Sequence, residues 1–172
     1  MKGIDLAAAL LDYYKFFDSF DPEFTGNMLS ACGIEEDLSE IFSHLNINAQ
    51  RHIKIGNTYG KPMSVSNGIG QGDSLALMSA IIYAAIQHRF IKARYPSLQM
   101  SSVIDDRNIR GKVEVLGKAI DDVVKFDALA CHFTNLKKSA ATAISKSDRD
   151  KLGNLNIRIF TTEKMWANLD GC

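Results

Sequence analysis

Apolar residues crowd positions 7–14, a run short enough for one buried strand. Asp21-Pro22-Glu23 then predicts a helix start, since Asp21 can cap free amides and Pro22 suits the first helical position. That helix is expected over residues 22–32, stopping at Gly33, the residue type favoured just past a helix end. Leu38, Ile41, Phe42 and Leu45 recur at helical spacing and predict a second helix over 35–45. Alternation over 51–55 and 63–66, on either side of the turn residues 56–60, predicts a hairpin. Beyond the glycine-rich stretch 68–72 comes the strongest helical pattern, 74–94, closed by Pro96. Residues 98–104 and 108–112 read as two strands around Asp105-Asp106. A helix over 115–132, a strand over 140–144, a short helix over 147–152 and a strand over 156–160 complete the prediction.

This order predicts an α+β domain, an antiparallel sheet with helices packed on one face. A ferredoxin-like split βαβ arrangement satisfies it. At 172 residues the chain fits one domain, here expected as 1–146 with a C-terminal extension over 147–172. Twenty basic residues balance twenty acidic ones, so net charge offers no footprint of nucleic acid. A site that gathers carboxylates around metal would itself offset basic flanks. Cys32, Cys131 and Cys172 have no paired spacing, which points to a reducing, intracellular context, nuclear or cytoplasmic alike. Asp5 interrupts the place where a signal peptide would be apolar, and the 7–11 run is too short for a membrane span. A soluble protein with no membrane partner is expected.

Asp12 falls at the end of the first strand, where a charge is costly unless it is paired or binds metal. Asp105-Asp106 lies between two strands, so a tight hairpin can bring both carboxylates to one sheet edge. If the first strand pairs beside that hairpin, three carboxylates converge. Such a cluster repels itself unless divalent cations fill it. Mg²⁺ suits an all-oxygen site, and two ions roughly 3.5–4 Å apart clamp in-line phosphoryl displacement. Acidic runs also occur at Asp121-Asp122 and Glu35-Glu36-Asp37, so the pair gains weight only from its company.

That company is specific. Asp12 followed by Lys15-Phe16-Phe17-Asp18 resembles motif A of the reverse transcriptases. Gly68-Ile69-Gly70-Gln71-Gly72 before a long helix resembles their motif B loop, and Val103-Ile104-Asp105-Asp106 their motif C box. Asn135-Leu136-Lys137-Lys138-Ser139 resembles motif D. The motifs keep the family's order and spacing over residues 11–139, and Asp105-Asp106-Arg107-Asn108 most resembles the non-LTR-retrotransposon type. Val103 stands where the motif C Tyr is usual, Gly70 where the motif B Pro is, and Ala76-Leu77 replaces the usual Ser-Pro.

The resemblance implies a palm domain of an RNA-directed DNA polymerase, with Asp12, Asp105 and Asp106 as catalytic metal ligands. Two Mg²⁺ ions are implied as cofactors, with Mn²⁺ as a substitute. Phe17 matches the aromatic gate against a ribose 2′-hydroxyl, Gln71 and Gly72 the contacts to template and nucleotide, and Lys138 a partner of the leaving pyrophosphate. The implied partners are an RNA or DNA template with its primer, a dNTP, and fingers and thumb from the remainder of a larger polyprotein. Without these the chain is expected to be inactive. Arg51, Lys54, Lys61, Arg107 and Arg110 are the candidate phosphate contacts.

Each residue also has a plainer use: Phe17 as core aromatic, the glycines as a turn, Lys138 as a solvated charge. A palm-shaped domain kept for nucleic-acid binding or assembly, without catalysis, is the main alternative. Gly72-Asp73-Ser74-Leu75 spells the nucleophile block of the GDSL esterases, but no Asp-x-x-His follows to activate Ser74. Four scattered histidines and three cysteines lack the spacing of a zinc site.

Overall fold

The computed structural model describes residues 6–155 and 157–161. In chain order the elements are β1 (Ala7–Leu11), α1 (Phe16–Ser19), α2 (Pro22–Ala31), α3 (Glu36–Ile47), the short β2 (Gln50–Arg51), β3 (Lys54–Ile55), β4 (Thr58–Tyr59) and β5 (Met63–Ser64), α4 (Ser74–Arg94), β6 (Gln99–Val103), β7 (Asp106–Gly111), α5 (Val113–Leu129), β8 (Ala140–Ala143), α6 (Lys146–Leu152) and β9 (Arg158–Phe160). They form two compact units, Met1–Tyr14 with Tyr83–Cys172, and Lys15–Ile82. Asn156, at the start of the last expected strand, and Cys172 lie outside the described residues.

The first unit holds the sheet, in the order β6-β7-β1-β8-β9. Its first four members in sequence (β1, β6, β7, β8) pair antiparallel among themselves and give the split βαβ arrangement. The sheet is nevertheless mixed rather than antiparallel throughout, because β9 pairs parallel to β8. The cause is α6, a helical crossover that returns the chain in the same direction. α6 begins at Lys146 and β9 lies beyond it, so the sheet extends past that point.

Alternation decides which face is covered. Ala7, Ala9 and Leu11 on β1, Ile109 on β7 and Ala141 and Ala143 on β8 are buried in one apolar cluster. Leu116, Ala119, Ile120 and Val123 of α5 and Ile91 of α4 close over them. By length and composition alone α4 is apolar enough to cross a membrane. Here Tyr83 and Gln87 on it donate hydrogen bonds to a buried carboxylate, so this side of the helix belongs to the core.

In the second unit the Asp21 side chain accepts from Phe24 N at 2.8 Å, with Pro22 in the first turn of α2, as the sequence expects. Gly33 follows the helix at φ 91°. The hairpin is nested, β2 on β5 and β3 on β4. Helices α2 and α3 cross at Gly26, where a Cβ would run into the Ser43 side chain and lie 3.1 Å from Ser39 O. Ser43 Oγ is also committed, donating to Pro22 O at 3.0 Å. Gly26→Ala is therefore expected to cost about 1–3 kcal/mol, read as a lower urea midpoint at nearly constant slope. An unchanged midpoint would mean that Ser43 turns aside freely.

Candidate active site

β1 runs antiparallel to β7 with Leu11 opposite Arg107. The next position along this ladder sets Asp12 opposite Asp106. Val103 pairs with Asp106, which leaves Ile104 and Asp105 as a two-residue turn. Ile104 takes φ 55°, a left-handed conformation that a β-branched residue adopts only under strain. Three carboxyl groups thus collect at one end of the sheet.

Their electrostatics agree with this placement. Burial pushes Asp106 above the usual carboxylate range, and the charges of Asp105 and Asp12 push it further. Burial also raises Asp12, with Lys138 pulling it down and Asp105 pushing it up. Asp12 Oδ2 is buried and accepts no hydrogen bond. The Lys138 ammonium approaches it to 3.8 Å from a largely exposed side chain.

The loop after α5 delivers that lysine. Asp12 O accepts from Asn135 N at 2.7 Å, and Asp12 N donates to Ser139 Oγ at 3.1 Å. Tyr13 bridges to Thr134, and Tyr14 N donates to Phe133 O at 2.8 Å. The loop is therefore zipped along the end of β1.

Beneath the carboxyls lies an ion pair that the sequence reading did not find. Arg107, expected to contact phosphate, is instead 1% exposed and donates from Nη1 to Asp127 at 3.2 Å. Asp127 Oδ1 also accepts from the Tyr13 hydroxyl at 2.7 Å, the Tyr83 hydroxyl at 2.8 Å and Gln87 Nε2 at 2.6 Å. Thr134 Oγ1 reaches Oδ2 at 3.2 Å. The guanidinium also lies 4.1 Å from the centre of the Tyr13 ring. Burial outweighs the mutual attraction, pulling Arg107 down to about 10 and holding Asp127 above the usual carboxylate range. A signal was present: Leu116, Ile120, Val123 and Asp127 share one helical face, and Arg107 alternates with Ile109.

Phe17, Gln71 and Gly72 belong to the second unit. Phe17 is half-buried against Phe16 and Phe20, with ring centres 5.4 and 6.4 Å away. Phe17 O accepts from Ile69 N at 3.0 Å and Phe20 O from Gly68 N at 2.7 Å, so the segment after Asp12 holds the glycine loop. Gln71 is exposed and Gly72 takes φ 97°, which favours glycine. Asp73 caps α4, its Oδ1 accepting from Leu75 N at 2.7 Å, so the Gly-Asp-Ser-Leu block serves as a helix start. Arg51 pairs with Asp18 at 3.5 Å and Lys54 lies 5.3 Å from the Tyr59 ring centre.

Among the described residues no group of three His, Cys, Asp or Glu side chains is gathered tightly enough to hold a metal ion alone. The arrangement at Asp12 is an open one. Its donors are all oxygen and one of them is an unsatisfied buried atom, which suits a hard cation that keeps water and substrate oxygens.

The fold has known counterparts. An apo telomerase from Candida tropicalis, truncated from its C-terminal domain, matches with a TM-score of 0.62 at 16% identity, over 80% of this chain and 30% of that one. The apo telomerase matches at 0.62 and 13%, over 81% and 29%. The telomerase in complex with a TWJ fragment of telomeric RNA matches at 0.66 and 11%, over 84% and 27%. The fold is reverse-transcriptase-like. The chain spans under a third of the telomerase chains it matches. No family model and no curated protein matches it.

His132 yields a pH test of the buried cluster. It is 1% exposed, edge-on to Tyr83 at 4.5 Å and Tyr13 at 5.9 Å, and burial together with Arg107 pushes it down to about 4. The unfolded chain takes up that proton near 6.5, the folded chain only near 4. Stability is thus complete above pH 6.5 and falls by about 3 kcal/mol as pH drops through this window. His132→Phe keeps the ring packing and should flatten that slope, read from urea midpoints at pH 7 and 4.5. Parallel pH profiles for the two proteins would refute it.

Proposed function

We propose that the chain is the palm of an RNA-directed DNA polymerase of the non-LTR-retrotransposon type. Completed by fingers and thumb, it extends a primer 3′ end with dNTPs by two-metal nucleotidyl transfer. The observation that carries this is the meeting of β1 with the β6–β7 hairpin, which sets Asp12 opposite Asp106 in a reverse-transcriptase-like fold. Burial, and after it neighbouring aspartate charge, raise both Asp12 and Asp106, which supports it.

Two Mg²⁺ ions, with Mn²⁺ as substitute, would supply the charge that activates the primer hydroxyl and neutralises the leaving pyrophosphate. In this reading Asp12 and Asp105 hold them and Asp106 is the weaker ligand. Lys138, beside Asp12, is the electrostatic partner or proton donor of the pyrophosphate. Phe17 rejects a ribose 2′-hydroxyl, while Gln71 and Gly72 let main chain approach the nucleotide and template. An RNA or DNA template with its primer is contacted through phosphates, with Arg51, Lys54, Lys61 and Arg110 as contacts and Arg107 excluded by its burial. One structural counterpart is a telomerase holding telomeric RNA, which favours an RNA partner. Fingers and thumb come from the remainder of a larger polyprotein, and the setting is intracellular.

Primer extension tests this. The chain alone should give no product. Joined to fingers and thumb of a reverse transcriptase, it should incorporate dNTPs with Mg²⁺. Asp105→Asn removes a ligand whose metal supplies several kcal/mol, so the rate should fall on the order of a hundredfold or more. Phe17→Ala should raise ribonucleotide use on the order of tenfold relative to dNTP. Incorporation that survives Asp12→Asn would contradict the mechanism. Divalent-ion binding with no incorporation by the completed protein would favour a non-catalytic palm.

A further inference from the structure

Asp12 and Tyr13 are neighbours at the end of β1, and Asp106 and Arg107 are neighbours on β7. Successive side chains on a strand point to opposite faces. The two carboxyls therefore share one face, while Tyr13 and Arg107 are buried on the other. There the Tyr13 hydroxyl and the Arg107 guanidinium converge on the same atom, Asp127 Oδ1, at 2.7 and 3.2 Å. The arginine also stacks on the Tyr13 ring, and Thr134 ties the Lys138-bearing loop to the same carboxylate.

This is a poor way to gain stability. Arg107 Nε and Nη2 are buried without hydrogen-bond partners, and a well-packed apolar pair is often at least as stable as a buried ion pair. What the ion pair adds is direction: bonds of fixed length from one carboxylate to the residue next to each of two facing aspartates. We propose that Arg107 and Asp127 are positioning residues, whose pairing, shared with Tyr13, fixes the separation of the Asp12 and Asp106 carboxyls and so sets their divalent-ion affinity without touching an ion. The affinity half rests on the metal-binding reading above; the positioning half does not.

The test uses the 172-residue chain and Mn²⁺ alone as probe. Arg107→Met combined with Asp127→Leu removes both charges, so neither is stranded. Electron paramagnetic resonance titration should show Mn²⁺ bound at least about tenfold more weakly, at a melting temperature close to that of the parent. Amide exchange should quicken at Tyr13, Tyr14 and Arg107 and stay unchanged at Ala9 and Ile109. A folded double variant with affinity within twofold and unchanged exchange overturns the proposal. Should the double variant not fold, Tyr13→Phe removes only the hydroxyl that reaches Asp127. It should still weaken Mn²⁺ binding measurably and quicken exchange at Tyr14, and no change in either overturns the proposal. Asp12→Asn separates the two ideas. If Mn²⁺ binding to the parent ignores this substitution, the metal reading fails, and amide exchange alone decides whether the pair positions the strands.

Discussion

The antiparallel ladder between β1 and β7 decides which side chains reach the carboxyl end of the sheet. A slip of one residue would turn Asp12 and Asp106 toward the helices and Leu11 and Ile109 toward solvent, because side chains alternate with a period of two. The apolar face forbids that slip: Ala9, Leu11 and Ile109 are buried beneath α5. The burial that folds the sheet is therefore what presents the carboxyls on its other face. A hairpin turn of only two residues then adds Asp105 at the same end, at the cost of Ile104 in a left-handed conformation.

The underside of that end is polar where a core is ordinarily apolar. Five side chains, Tyr13 just past β1, Arg107 on β7, Tyr83 and Gln87 on α4 and Thr134 in the loop after α5, direct donors at Asp127. Taking Arg107 and Asp127 out of water costs more than their attraction returns, and both are shifted toward their neutral forms as a result. Such a cluster is tolerable only when well satisfied, which makes it sensitive to geometry. Two of its members, Tyr13 and Arg107, are the chain neighbours of Asp12 and Asp106, so that sensitivity is handed directly to the carboxyl site.

Much of this was legible in the residues. Helix α4 matches its expected bounds because Asp73 caps one end and Pro96 closes the other. The apolar run 7–14 predicts a buried strand, and β1 is buried at alternate positions but stops at Leu11, short of that run's end. Two features were hidden for physical reasons. Arg107 reads as a solvent-facing charge after two aspartates, and only its pairing with a carboxylate twenty residues further along, on α5, makes its burial possible. The parallel pairing of β9 depends on where α6 returns the chain, which local pattern does not encode. Asp127 was visible as a polar break in the apolar stripe of α5, a sign of a buried partner that composition alone does not name.

In the proposed function Asp12, Asp105 and Asp106 form one divalent-ion site. Anomalous diffraction from crystals grown with Mn²⁺ and a deoxynucleoside triphosphate tests it most directly. Two manganese peaks roughly 3.5–4 Å apart, bounded by Asp12 and Asp105 with Asp106 at their edge, are the predicted result. Manganese found only elsewhere, at Glu35-Glu36-Asp37 or Asp121-Asp122, with none at Asp12, would contradict it.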